Sequence, residues 1–315
     1  VLVIGTGGTM SARLVKGEWK YGELTAGELI KSTPRVNEHF QVLATNLFRM
    51  DSSDIRPSQW ITLANTIYYS LGKYEGIVVA MGTDTMPFAA AAISFMVQGA
   101  GIPIVFTGAR SDPMALNTDA ARNLRQAITV ACEDLAGTVV VFNGRIISGA
   151  RAKMVNASEF DAFHSAGEPD MGKITQGVTI SAGHGKRGKT GKPSLMASLE
   201  EDVAILKVYP GFDGNRIRQL VDYGAKGIVI EGFGIGNIPL GHSMVKEGLV
   251  YAREKNVPVV VTTAAMPGEE WRHIYTLDIG KRLRGLGTVA GYDMTTEAAY
   301  VKLMWTLAQT RDLKE

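Results

Sequence analysis

Two short turns, each directly after an apolar run, carry the side chains best suited to chemistry on a small molecule. The first, "VLVIGTGGTM" (Val1–Met10), ends in Gly7, Gly8 and Thr9; the second, "GIVVAMGTDTM" (Gly76–Met86), presents Gly82 and Thr83, followed at once by Asp84. A threonine hydroxyl at the carboxyl end of a strand, beside glycines that leave the backbone open to a ligand, is a place for a nucleophile. Threonine is weak at its own pKa and needs a neighbouring base or charge to activate it. A glycine-rich turn between strand and helix also gathers N–H groups that hold phosphate. The motif argues against that use, because Met10 fills the last Gly position of GxGxxG and no Lys stands where GxxxxGK[ST] requires one. Taken alone, the Gly-Thr-Asp-Thr turn reads as an ordinary helix N-cap. The pair of turns shifts the reading to a ligand site.

Such turns need rigid strands beneath them. Apolar runs recur along the chain as "VLVI", "GIVVAM", "IPIVFTG", "TVVVFNG", "AILKVYP", "GIVIEGFG" and "VPVVVTT". They alternate with helical patterns, which predicts parallel sheets covered on both faces. "FAAAAISFMVQGA" and "NTDAARNLRQAITVACEDL" read as crossover helices, the second with Asn117 or Thr118 as N-cap and Asp119 in its first turn. "TTEAAYVKLMWTLAQT" reads as a closing amphipathic helix capped by Thr295 or Thr296. Between Ser181 and Ser194 the Gly- and Lys-rich "SAGHGKRGKTGKPS" has no apolar periodicity and reads as an exposed turn near a domain boundary. The expected fold is α/β, with a larger flavodoxin-like N-terminal domain built on a parallel sheet (residues 1–185), a turn and linker (186–201), and a smaller α/β C-terminal domain (202–315).

Composition bounds the partners. With 33 Lys and Arg against 31 Asp and Glu, the chain of 315 residues carries a formal charge of +2, no field for nucleic acid or an anionic membrane. The single cysteine, Cys132 in "AITVACEDL", reads as a small buried hydrophobe and forms no intrachain disulfide. The five histidines have no ligand spacing, so no metal and no other cofactor is expected. No run of about 18 apolar residues suggests a membrane span, and a start inside a strand rather than a charged leader points to the cytoplasm.

The two turns resemble the asparaginase and glutaminase family, whose members carry a strand ending in TGGT and a second ending in HGTDT. The resemblance covers essentially the whole chain. It includes "MDSSDIRPSQW" (Met50–Trp60), "IPIVFTGAR" (Ile102–Arg110), "NTDAARNL" (Asn117–Leu124), "FDAFHS" (Phe160–Ser165), "EGFGIGNIP" (Glu231–Pro239) and "DMTTEAAYVKLMW" (Asp293–Trp305). It implies that Thr9 attacks a side-chain amide carbon to form an acyl-enzyme that water hydrolyses, with asparagine or a related amino-acid amide as substrate. It implies that Tyr21, on a flap from Ser11 to about Leu24, activates Thr9. The polar "KGEWKYGEL" of that flap, with two glycines and no helical period, suits a mobile lid. Thr83 would orient water or hydroxyl, and Asp84 would hold the substrate's α-amino group. Ser52 and Ser53, flanked by Asp51, match residues that bind the α-carboxylate; Gly8 and Gly82 line the same pocket. Ala109 falls at a backbone contact to the amide, and Asn237 matches an asparagine that a neighbouring copy supplies. A homodimer or homotetramer follows, and the "GFGIGNIPLG" turn would leave Ile235, Ile238 and Pro239 exposed unless covered.

Two positions depart from the pattern. The family's histidine before GTDT is Met81. Family members also place a lysine against the aspartate of GTDT, and aligning "GARAKMVNASEFDAF" (Gly149–Phe163) without a gap puts Met154 there, with Lys153 one residue early. Adjacent side chains of an extended segment face opposite ways, so Lys153 needs a bulge to reach Asp84, unless Arg110 or Arg151 supplies the charge. Three accounts stay open: an amide hydrolase with a rearranged support group, an ordinary asparaginase, and an amino-acid-binding protein with little hydrolytic activity. A relative that supplies ammonia for converting misacylated glutamyl-tRNA shares these motifs but carries an added N-terminal domain, whereas this chain starts at the first strand.

Overall fold

Val3, Ile4, Val78, Val79, Val105 and Phe106 are all fully buried, so the strands that carry them face apolar layers on both sides. The computed structural model describes residues 1–16, 18–268, 278–310 and 312. It divides into two compact units: Val1–Ser165 with Asp170–Ala197, and Ala166–Pro169 with Ser198–Glu315.

The first unit is built on an eight-stranded sheet. Its parallel strands lie in the spatial order Leu43–Met50, Leu2–Gly7, Ile77–Ala80, Pro103–Thr107 and Gly137–Phe142. Arg145–Ser148, Gly172–Ile174 and Val178–Ile180 extend it by antiparallel pairing. Numbered along the chain, the parallel strands follow the flavodoxin order 2-1-3-4-5. Alternate strand residues Val3, Val78, Ala80, Val105, Val139 and Val141 form one core with helices Ala26–Ser32 and Ala120–Val130. The intervening Ile4, Val79, Phe106 and Val140 face helices Pro57–Tyr68 and Met86–Met96, where Trp60 stacks on Phe88 at 6.4 Å between ring centroids. The second unit carries a four-stranded parallel sheet in sequential order, Val203–Lys207, Gly227–Gly232, Val259–Thr263 and Thr288–Ala290. The closing helix, Thr296–Gln309, is capped by Thr295, whose hydroxyl accepts from the Ala298 N–H at 3.0 Å.

Several local expectations are corrected. The helix after "NTD" begins at Ala120, and Asp119 is its N-cap residue without capping it; the carboxylate turns back to the preceding loop. Cys132 is exposed rather than buried, since the helix has ended at Val130 and its buried stripe no longer governs the side chain. Ile238 is buried beside Leu240 in the core of the second unit, so the turn that carries it shields its own apolar side chain. The Gly- and Lys-rich segment is largely exposed but pinned. The Arg187 N–H donates to Asp134 at 3.0 Å, its guanidinium donates to the carbonyls of Glu75, Ala131 and Glu133, and Ser194–Leu195 pairs with Val97–Gln98. An arginine at the carbonyl end of a helix is favoured by the dipole and the orphan carbonyls there.

"FDAFHS" is tied to the sheet through charge. Arg145 Nε meets Asp161 at 2.8 Å and its Nη1 meets Asp170 at 2.6 Å, while His164 Nε2 lies 3.0 Å from Asp161. The hydrogen bond from Arg145, aided by that from His164, holds the Asp161 carboxyl at about 2. Its pKa is depressed by folding, so the stabilisation is complete above the ordinary carboxylate value, near 4, and fades as pH falls toward 2. Asp161→Asn is expected to lower thermal stability at neutral pH by about 0.5–1 kcal/mol, because the pair is partly solvated. The gap to the wild type should close on acidification from about pH 4 to about pH 2, as read by thermal melts across that range.

Candidate active site

The strand Leu2–Gly7 ends where Gly7 and Gly8 take φ values of 109° and 74°, a region that favours glycine. The Gly8 N–H donates to the Met50 carbonyl at 2.9 Å, and Thr9 opens a short 3₁₀ turn, Thr9–Ser11. A Cβ on Gly8 would lie 2.2 Å from the Gly82 Cα, and one on Gly82 would lie 2.4 Å from Ser52 Oγ. Three loops, after Leu2–Gly7, Leu43–Met50 and Ile77–Ala80, are thus packed closely together at the switch point, where chain direction through the sheet reverses. Thr9 is half-buried, Thr83 and Ser52 are buried, and Asp84 is exposed.

The loop of Asp51–Ser53 is internally satisfied. Asp51 accepts from both the N–H and the hydroxyl of Ser53 at 2.9 Å, and the Thr85 hydroxyl donates to the Ser52 carbonyl at 2.8 Å. Within the segment expected to form the flap, Arg13–Val15 pairs antiparallel with Glu18–Lys20 in a hairpin. It brings Tyr21 to Asp51. The Tyr21 phenol is pushed above its ordinary value, first by partial burial, then by the Asp51 charge and hydrogen bond, and finally by Asp84. Ser11 is buried and fastens both ends of the hairpin, a role that the sequence does not reveal. Its hydroxyl donates to the Gly8 carbonyl at 2.9 Å and accepts from the Gly22 N–H at 3.0 Å, and its carbonyl accepts from the Leu24 N–H at 3.0 Å. The only signal for it is a small hydroxyl two residues after Thr9.

On the other side of Thr83, Arg110 Nη1 donates to the Thr83 hydroxyl at 3.1 Å, and Nη2 donates to the Ala157 carbonyl. Ala109 is fully buried, so only its backbone is available to a ligand. Met81 is buried, and its N–H donates to the Thr107 carbonyl at 3.0 Å, so it serves as core beneath the turn. In the hairpin of Ala152–Met154 with Phe163–Ser165, Lys153 lies opposite His164 and Met154 opposite buried Phe163, without a bulge. Lys153 and Met154 therefore face opposite ways. Among the described residues Asp84 forms no ion pair with Lys153, Arg151 or any other cation. Asn237 belongs to the second unit, where it is exposed in a turn closed by two backbone hydrogen bonds to Phe233, at 2.9 and 2.8 Å. Among the described residues no cluster of His, Cys, Asp or Glu could hold a metal ion, and no helix is long and apolar enough to cross a membrane.

Two family models match the chain: "Asparaginase, N-terminal" over residues 1–184 and "Glutaminase/Asparaginase C-terminal domain" over residues 202–315. An L-asparaginase of Thermococcus kodakarensis is 33% identical, over 100% of this chain and 94% of its own length. One component of the glutamyl-tRNA(Gln) amidotransferase of Pyrococcus furiosus is 36% identical, over 100% of this chain and 73% of its own. The solved thermostable L-asparaginase of T. kodakarensis superposes with a TM-score of 0.90 at 31% identity, covering 99% of this chain and 94% of that one. A probable cytoplasmic L-asparaginase of Campylobacter jejuni gives 0.83 at 26%, covering 99% and 96%.

The link between Tyr21 and Asp51 has a measurable sign. Asp51→Asn removes the charge and weakens the hydrogen bond that raise the phenol, so Tyr21 should ionise at lower pH than in the wild type. Phenolate absorbance against pH, with Tyr21→Phe to isolate this tyrosine, reads the change. An unchanged titration would place Tyr21 away from Asp51 in solution.

Proposed function

Since the chain belongs to the asparaginase family, we propose that it is an amidohydrolase that cleaves the side-chain amide of L-asparagine, or a related amide, to the acid and ammonia. The observation that carries this reading is the contact of Gly8 with Gly82, which sets the Thr9 turn beside Thr83 and Asp84. Thr9 Oγ attacks the amide carbon, the hydroxyl proton passes to the amide nitrogen, and the C–N bond breaks to release ammonia. Water then attacks the resulting ester, and the acid leaves as Oγ recovers its proton. Tyr21, whose phenol is held protonated at neutral pH, moves a proton at Thr9 Oγ without storing negative charge. Asp84, exposed and without an ion-pair partner among the described residues, receives the α-ammonium. Ser52 and Ser53, with Asp51, hold the α-carboxylate end, Gly8 and Gly82 line the pocket, and the Ala109 backbone meets the amide. Asn237 completes the site from a second copy in a homodimer or homotetramer, and the enzyme works in the cytoplasm, as the name of the C. jejuni neighbour states for that protein.

The relatives named as components of a glutamyl-tRNA(Gln) amidotransferase favour a second reading, in which the released ammonia serves an amidotransferase complex. Ammonia release from asparagine, glutamine and other amides separates the two. Full turnover by the isolated chain supports the first, and turnover that depends on partner proteins and glutamyl-tRNA supports the second.

Thr9→Ala is expected to reduce ammonia release by about 10³-fold or more, while ligand-induced thermal shift persists. Undiminished release would remove the acyl-enzyme. A wild type that shows a thermal shift with every amide but hydrolyses none would be the amino-acid-binding protein.

A further inference from the structure

We infer that Arg110 is the positioning residue that supplies positive charge to Thr83 in this site, in place of a lysine; the inference rests on the hydrolase reading above. Its side chain touches Thr83 directly, with Nη1 3.1 Å from Oγ1. Its backbone is held independently. Asp119, 1% exposed, accepts from the Arg110 N–H through both carboxylate oxygens at 3.0 Å and from the Ser111 N–H at 3.1 Å. Asn123 in turn donates to Asp119 and to the Gly108 carbonyl, each at 3.0 Å.

The partners of the guanidinium are neutral. Nη1 meets a hydroxyl, Nη2 meets the Ala157 carbonyl, and the buried Nε has no partner. Among the described residues no carboxylate pairs with the Arg110 side chain, because Asp119 commits its oxygens to N–H groups of the backbone and of Asn123. A cation with no carboxylate in contact acts electrostatically on the neutral groups it touches. Because Arg110 occupies a lone pair of Thr83 Oγ1 as donor, the Thr83 O–H is left to donate, and the charge behind it strengthens that donation. Such a donor favours negative charge at the reacting carbon: the oxyanion formed on attack, and the carboxylate that replaces the amide in the product.

The lysine position is filled otherwise. Met154 stands on the Phe163 side of its hairpin, and the unbulged ladder keeps Lys153 on the His164 side. An arginine is not equivalent to the lysine it replaces. A guanidinium stays charged throughout the working pH range, so it gives polarisation without proton exchange.

Arg110→Gln and Arg110→Lys test this, with thermal melts to establish that both fold. Two readouts are taken: ammonia release against pH, and affinity for L-aspartate against L-asparagine by calorimetry. Arg110→Gln should lower kcat by about 10²–10³-fold with KM little changed, and should weaken aspartate more than asparagine. Arg110→Lys should restore part of kcat and of the aspartate affinity, and should add a loss of activity at alkaline pH, as the ammonium deprotonates, that the wild type lacks. Wild-type kcat and aspartate affinity in Arg110→Gln would overturn the inference and leave the hydrolase reading standing. A wild type that hydrolyses no amide yet binds aspartate in an Arg110-dependent way would overturn the hydrolase reading and leave the inference. If the wild type neither hydrolyses nor binds aspartate, both are overturned.

Discussion

Gly8 and Gly82 lie against each other only because neither has a side chain. A Cβ on Gly8 would fall 2.2 Å from both the Cα and the N of Gly82, a separation that real atoms do not reach. The sheet forces this proximity. The strands before the two turns are hydrogen-bonded neighbours in parallel register, with Gly5 beside Ala80, so chains leaving their carboxyl ends emerge in the same place. Large side chains would wedge the turns apart. Glycines let them close, and Ser52 packs against the same point from the third strand.

What surrounds this contact is a set of loops held together by polar clasps. Asp119 gathers the loop after Pro103–Thr107, Ser11 gathers the hairpin, and Asp51 gathers its own 3₁₀ turn. A buried carboxylate is costly unless hydrogen-bonded, and Asp119 meets that condition with N–H donors from the backbone and an amide. The arrangement leaves Asp84 and the Arg110 guanidinium without ion-pair partners among the described residues, although Asp84 adjoins Thr83 along the chain and Arg110 adjoins it through a hydrogen bond.

The doubly wound architecture is legible because its strands are unbroken apolar runs with turn residues at their ends, and the two threonine turns stand out as hydroxyls after such runs. The parts that are not legible depend on contacts between distant residues. That Arg110 reaches Thr83 follows from the adjacency of Ile77–Ala80 and Pro103–Thr107 and from the Asp119 clasp, which no local pattern encodes. Cys132 misleads because helical phase extends naturally past Val130 on paper, whereas the helix ends there. Ile238 misleads because a glycine-rich turn gives no sign that its own unit will bury it. The pairing of Arg13–Val15 with Glu18–Lys20 stays hidden, since strands of three residues leave almost no alternation to see.

Ser11 joins the base of that hairpin into a closed ring: Gly8 on one side, Gly22 and Leu24 on the other, with one small side chain and its carbonyl between them. A ring closed at its base separates the length of the segment within it from the position of the turn that it springs from. The ten or so residues between can lengthen, shorten or change character across related chains while Thr9 stays where the sheet puts it. The make-up of that segment and the placing of the Thr9 hydroxyl are thereby decoupled, and one can drift without dragging the other along.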